Sequence, residues 1–323
     1  MKTFDIVTVG HFAVDHIQSR RFDTTKKMLG GSPAYVSMAA RKLDACVGVV
    51  SKVGDDFPQE YIKLLSSKKV DLFGVKKTKN GSTTSFILRY MNGNRQLLMK
   101  SHAPPILTED VSLAFKAKAI HVAPIAGEIS CEVIEELCKK TNTLSLDPQG
   151  FLRTFDANGR VSLKKWADRR ILEQVDVFKS SLHEIRKIAS SKSLEVSMKK
   201  IQDFGVKIVI VTLGSKGAAL LFDKALYRIP VIQPKKQIDL TGAGDVFAGA
   251  FLAEYVNKRE PVWCACAGSA MASFKVESVG PLFLGEKEAI YERAKRLYKK
   301  CLSVETHNGL WRKIGKELKH RRV

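Results

Sequence analysis

The chain has 323 residues, 45% of them hydrophobic, with 54 Lys+Arg against 33 Asp+Glu and a formal net charge of +21. That size and apolar content support one large domain or two modest ones with ample core. No apolar run reaches the roughly 18 residues of a membrane span, and the six cysteines, at 46, 131, 138, 264, 266 and 301, contain no Cys-x-x-Cys pair and no disulfide framework.

The N-terminus, MKTFDIVTVGHF, reads as a strand rather than a signal peptide. A soluble, cytoplasmic protein with reduced cysteines is the expectation. Cys264-Ala-Cys266 lacks the His or Cys partners that a metal site needs. A surface this positive attracts polyanions. The basic residues are spread out, however, in pairs such as Lys76-Lys77 and Lys235-Lys236, and are densest at the end, from Trp311 to Val323. Solvated lysine faces plus a basic tail over 305–323 are the plain account. No nucleic-acid motif with interleaved aromatics occurs, so nucleic acid is not an expected partner.

In chain order, residues 4–10 (FDIVTVG) form a continuous apolar, β-rich run, as in a buried central strand. Gly30-Gly31-Ser32-Pro33 is turn material before a small-residue helix over 34–43. A second buried strand spans 45–53 and ends at Gly54-Asp55-Asp56, followed by a helix over 58–67. From Leu72 the texture changes. Strands over 85–89 and 96–100 flank Met91-Asn92-Gly93-Asn94, a hairpin signal, and suggest a lid inserted between α/β units. The rhythm then resumes, with strands at 119–122, 144–147, 175–179 and 207–213 and helices at 128–140 and 182–190. A hairpin over 218–222 and 226–229 precedes helices near 244–256, 261–275 and 286–301. Alternating strands and helices imply a doubly wound, mainly parallel sheet flanked by helices. Ligands in such sheets sit at the carboxyl ends of strands.

One stretch, DLTGAGDVFAGAF over 239–251, places two glycines and an aspartate directly before an apolar helical run. Gly242 and Gly244 allow a positive φ or a close approach to a ligand. The helix start supplies unpaired N–H groups and a positive dipole end, which favours an anion. Asp245 is then either a simple cap or a base aimed at what the anion holds.

These residues carry a resemblance. Leu240-Thr-Gly-Ala-Gly-Asp-Val-Phe-Ala-Gly-Ala resembles the signature of the PfkB carbohydrate kinases, the ribokinase-like family, and Gly30-Gly31 through Gly54-Asp-Asp-Phe57 resembles the family's other signature. The likeness spans about residues 4–300. It implies a ribokinase-like α/β domain over 1–304, with a small β lid contributed by about 11–30 and 72–103. It also implies phosphoryl transfer from ATP to a hydroxyl, which needs positioning, charge neutralisation and a base. In that reading Asp245 is the base, and the backbone of Gly242, Ala243 and Gly244 forms the anion hole. Thr212, Gly214, Ser215 and Gly217 resemble the nucleotide loop, and residues 265–276 with Gly280 resemble the small-residue helix and loop beside the adenine. The family's Asn-x-x-Glu motif, which organises Mg2+ partly through water, corresponds here to Ser181-Leu-His-Glu184; the Glu is kept and the Asn is not. Asp239 and Thr241 resemble positions that hold a monovalent cation such as K+ in some members, although Asp239 also suits a cap or a lysine pair.

For the acceptor, Asp15 matches the carboxylate that grips substrate hydroxyls, suited to a vicinal diol by its two strong acceptor oxygens. Ala13 and Tyr35 stand where ribose-type members carry Asn, which argues against ribose. Tyr35 suits the face of a ring. Asp147-Pro-Gln-Gly150, with Arg153 beyond it, replaces the usual Asp-Pro-Asn-x-Arg. Gly30, Gly31 and Arg95 complete the expected acceptor set, and Arg89, Tyr90, Asn92 and Gln96 are lid candidates. His121 and Pro124, at another strand end, are candidates for the same pocket, though a lone His is more often structural. The resemblance therefore points to a sugar or cyclic polyol such as inositol, with a nucleoside as the alternative. A polyanion-binding protein on a kinase fold is the rival from another class, and a homodimer through the lid is compatible with the kinase.

Overall fold

The computed structural model describes residues 1–19, 25–91, 94–166 and 168–302. The basic tail expected over 305–323, the Asn92-Gly93 turn and the side chains of Tyr90 and Arg95 lie outside the described residues.

Strand β1 (Lys2–Val9) carries the first apolar run, and Ile6, Val7 and Val9 are fully buried. That is the pattern of a parallel strand covered on both faces. β2 (Ala13–Ser19) and β3 (Lys26–Gly30) leave this layer, and α1 (Ser32–Lys42) returns to it. β4 (Val47–Gly54), α2 (Gln59–Ser67) and β5 (Asp71–Thr78) follow, then β6 (Thr84–Met91) and β7 (Asn94–Ser101). Next come α3 (Thr108–Val111), β8 (Phe115–Val122), α4 (Cys131–Cys138), β9 (Leu144–Leu146), α5 (Gln149–Leu152) and the short pair β10 (Arg153–Phe155) and β11 (Val161–Leu163). The C-terminal half holds β12 (Val177–Ser181), α6 (Leu182–Ala189), α7 (Leu194–Gln202), β13 (Ile208–Thr212), β14 (Ala218–Phe222) and β15 (Ala225–Ile229). Helices α8 (Ala243–Tyr255), α9 (Pro261–Lys275) and α10 (Lys287–Leu302) end the described chain.

Nine strands make the main sheet in the order β15-β14-β13-β12-β9-β8-β1-β4-β5. Pairing is parallel from β13 to β5 and antiparallel at the β13-β14-β15 edge. One core cluster packs α1, α8, α9 and α10 on one face, and another packs α4, α6 and α7 on the other. Helix α8 is buried from Val246 to Glu254, and its small residues let neighbours close in: a Cβ on Gly249 would meet the Val36 carbonyl at 2.5 Å. Small residues at such a contact allow backbones to approach. No helix among the described residues is long and apolar enough to cross a membrane.

A second, four-stranded sheet, β3-β2-β6-β7, stands over the carboxyl ends of the main strands. One boundary is corrected. Residues 71–78, expected to open the second lid piece at 72, pair in parallel with β4 as the edge of the main sheet, so that piece begins at Thr84. The helix expected over 128–140 is shorter, Cys131–Cys138, because the Glu128 carboxylate accepts the backbone N–H groups of His11, Ile125 and Ala126 instead of starting a turn.

Candidate active site

A cavity of about 380 Å3 opens between the lid sheet and the strand ends. Its floor is the start of α8. Gly242 precedes that helix with φ 74°, where a Cβ would strike the Tyr35 ring at 2.3 Å. Both observations require glycine at this position. Asp245 follows in the first turn and lines the cavity.

Four polar groups converge on Asp245. The Ser32 hydroxyl, at the start of α1, donates to Asp245 Oδ1 at 2.5 Å. Lys179 Nζ, near the end of β12, donates to Asp147 Oδ2 at 2.5 Å, and both side chains are buried. The same ammonium lies 2.7 Å from where a Cβ on Gly244 would sit, so it stands at the mouth of the α8 N-terminus. Burial raises the Asp245 pKa, helped by the Asp147 charge and opposed by Lys179, the Ser32 hydrogen bond and Arg153. Burial alone would pull the Lys179 pKa down, but the charges of Asp147, Asp245 and Glu184 and the Asp147 hydrogen bond outweigh it and leave it raised. A carboxyl held above its usual range beside a firmly charged ammonium is the pairing expected where a proton is removed and an anion received.

Around this centre the cavity gathers Asp15, Gly31, Tyr35, Asp147, Glu184, Thr212, Thr241, Gly242 and Gly244 from the expected set. Gly30 stays behind the wall, against the Asp15 carboxylate, which comes within 2.3 Å of its would-be Cβ. The Ala243 N–H closes a turn onto the Leu240 carbonyl at 3.3 Å, so it is directed away from the expected anion hole. Gly214, Ser215 and Gly217 form a tight turn after β13 and do not line the cavity; nor does Gly280, which abuts Met28.

The cavity also holds Arg153, the sequence's candidate for the family's Arg, together with residues that carried no expected role. Gln149 and Arg153 enter as a hydrogen-bonded pair, with Arg153 Nη2 donating to Gln149 Oε1 at 2.6 Å, and Arg153 is further anchored on the Ile125 carbonyl. Phe86, Leu88, Leu97 and Ile125 form an apolar wall. Strand alternation places Phe86 and Leu88 inward and Arg89 outward. Arg89 and Gln96, expected over the acceptor, therefore line a separate hollow on the other side of the lid sheet, with Asn158 and Arg160. His121 is fully buried outside the cavity, hydrogen-bonded to Ser145, and burial pushes its pKa down to about 4. It is structural, and Pro124 does not line the cavity either. Signals existed for some of the missed residues: a lysine inside the buried run VFKSS needs a charge partner, and Ser32 sits beside the Gly30-Gly31 turn.

For a divalent metal, Glu184 and Ser181 share the cavity wall. They form a capping box, with Ser181 N–H on Glu184 Oε2 at 2.7 Å and Glu184 N–H on Ser181 Oγ at 3.3 Å. A single carboxylate and a hydroxyl suit an ion that keeps several waters and takes phosphate oxygens. The monovalent cation expected at Asp239 and Thr241 meets a different situation. Lys275 Nζ lies 3.2 Å from both Asp239 O and Asp239 Oδ2, so the residues present do not fit an added cation.

The family model described as pfkB family carbohydrate kinase matches residues 3–287. A cytidine kinase of Thermococcus kodakarensis is 28% identical over 278 residues, 82% of this chain and 93% of that protein. An inositol 3-kinase of Arabidopsis thaliana is 25% identical over 318 residues, 94% of this chain and 83% of that protein. Among solved structures, a pyrophosphate-dependent kinase of the ribokinase family, complexed with a pyrophosphate analog and myo-inositol, superimposes with a TM-score of 0.77 at 26% identity, covering 88% of this chain and 99% of the other.

Proposed function

The chain belongs to the pfkB family of carbohydrate kinases, phosphotransferases with hydroxyl acceptors, and on that premise we propose that it phosphorylates a cyclic polyol or sugar with ATP and Mg2+. The observation that carries the acceptor class is the company Asp245 keeps. Asp15, Gln149 and Arg153 line the same cavity. Such a set of donors and acceptors suits a ring with hydroxyls around its whole edge.

The acceptor hydroxyl is held against Asp245, which takes its proton as the oxygen attacks the transferring phosphoryl group. Ser32 fixes the orientation of the Asp245 carboxylate. Asp15 accepts from neighbouring hydroxyls, and the Gln149–Arg153 pair engages others. Tyr35 and the apolar wall cover the ring and exclude water. The backbone N–H groups of Gly242 and Gly244 and the Lys179 ammonium receive the negative oxygens of the phosphoryl group. Thr212 and the 214–217 turn, with Gly280, form the bed of the nucleotide. Glu184 and Ser181 would hold Mg2+ through water, and the bound ion supplies neutralisation of phosphate charge.

One observation favours a second reading. The apolar wall of Phe86, Leu88, Leu97 and Ile125 suits the base of a nucleoside, and a cytidine kinase is among the relatives. ATP-dependent ADP release over a panel of inositols, hexoses, pentoses and nucleosides separates the two, with pyrophosphate as a second donor. Turnover on an inositol or hexose that falls about 10^2–10^4-fold in Asp245→Ala is expected. Turnover confined to nucleosides overturns the acceptor class, and turnover indifferent to Asp245→Ala overturns the mechanism.

A further inference from the structure

Lys275, on the last turn of α9, has no exposed surface. A buried ammonium is retained only where oxygens replace its water. Its Nζ lies 3.2 Å from Asp239 O, 3.2 Å from Asp239 Oδ2 and 3.3 Å from Ser278 O. It also stands 5.8 Å from the centre of the Tyr35 ring. Backbone carbonyls together with one carboxylate are the ligand chemistry of a hard cation, and the group seated among them is the protein's own.

The position matters because of what Asp239 holds. Its Oδ1 accepts the Thr241 N–H at 2.9 Å, and the Ile238 N–H binds the Val276 carbonyl at 2.8 Å. The ammonium thus ties the end of α9 to the 239–242 loop, which leads directly into the first turn of α8 and Asp245. The same loop carries Gly242, packed on Tyr35, and the Tyr35 ring also faces the Lys275 ammonium. We propose that Lys275 is a built-in substitute for a bound monovalent cation: its ammonium holds the 239–244 loop in its anion-receiving shape, and the protein neither binds nor needs K+. Lys275 is a positioning residue, acting through the loop. The consequence for turnover rests on the kinase reading above; the consequence for cation binding does not.

The test compares the full chain with Lys275→Ala and Lys275→Met at constant ionic strength in a tetramethylammonium salt, with K+ added stepwise. Three readouts are taken: Rb+ binding by equilibrium dialysis, melting temperature, and kcat and KM on whichever acceptor the panel identifies. For the unaltered chain we expect no Rb+ binding and no response of melting temperature or kcat to K+. Lys275→Ala leaves Asp239 with a vacated cation position. It should bind Rb+, gain melting temperature with K+, and show kcat lowered by about tenfold, the loss of roughly one charge-assisted hydrogen bond. Saturating K+ should restore kcat, with KM little changed. Lys275→Met fills the same space without charge and should be impaired without rescue. Rb+ binding or K+ activation of the unaltered chain overturns the proposal, as does a folded Lys275→Ala that ignores K+. If neither variant folds, the unaltered chain decides alone. If no acceptor is turned over, the kinase reading fails while Rb+ binding and melting temperature still decide the role of Lys275.

Discussion

The Ser32 hydroxyl donates to Asp245 Oδ1 across 213 residues of sequence, joining the start of α1 to the start of α8. Both residues sit just inside helix N-termini, after Gly31 and Gly242 respectively. The bond opposes the rise that burial imposes on the Asp245 pKa. Ser32→Ala should therefore raise that pKa further. The acid limb of the kcat–pH profile should move to higher pH, and kcat at neutral pH should fall about tenfold, one hydrogen bond to a charged group. An unmoved acid limb would show that Asp245 is not the group whose ionisation limits turnover.

In the proposed reaction Asp245 also sets a trade between stability and activity. Its folded-state pKa is raised, first by burial and then by the Asp147 charge. A raised carboxyl pKa favours the folded state only below the ordinary carboxylate range, and that advantage is lost as pH climbs through the folded value. At neutral pH the ionised group is thus a liability to the fold, as function-bearing groups often are. Asp245→Asn should melt at a higher temperature than the unaltered protein at pH 7. The gap should close as pH falls below the usual carboxylate range, while kcat drops about 10^2–10^4-fold. A lower melting temperature at pH 7 would contradict the stated balance of burial over Lys179.

Much of this arrangement was legible in the sequence, for local reasons. β1, β4 and β13 read as strands because parallel strands buried on both faces are unbroken apolar runs. The start of α8 read as an anion site because Gly242, Gly244 and Asp245 fix one short stretch of backbone. β2 and β3 could not be read as strands: AVDHIQS and KKMLG carry polar residues on a lid face. β5, DLFGVKKT, reads as lid because its partly exposed pattern suits a lid strand and an edge of the main sheet equally. Ser32, Lys179 and Lys275 meet their partners only through the packing of distant elements. Lys275 in particular looks in sequence like an ordinary basic residue at a helix end, and only the meeting of α9 with the 239–242 loop makes it a buried cation.

The Lys179–Asp147 pair is the second charge relationship to test. Lys179 and Asp147 side chains are 7% and 2% exposed, so breaking the pair strands a buried carboxylate. Lys179→Met should cost about 3–5 kcal/mol of stability, the range for removing one partner of a buried ion pair, and should abolish turnover. Adding Asp147→Asn should recover a good part of the stability, since the stranded charge is gone, but none of the turnover. A double variant as unstable as the sum of the single ones would mean that the two side chains do not couple.

Glu184 lets metal binding be tested apart from folding, because its capping of α6 and the metal role proposed for it ask for different chemistry. As part of the α6 capping box it needs only an oxygen to accept the Ser181 N–H, which it does at 2.7 Å. A glutamine supplies that oxygen equally well. As a support for Mg2+ it must carry a negative charge into the cavity wall. Glu184→Gln should therefore leave the melting temperature nearly unchanged while raising the Mg2+ concentration for half-maximal turnover by about tenfold, a loss of roughly 1.4 kcal/mol. Saturating Mg2+ should restore most of kcat. An unchanged Mg2+ requirement would remove Glu184 from the metal's surroundings, and a large fall in melting temperature would show that its charge serves the fold.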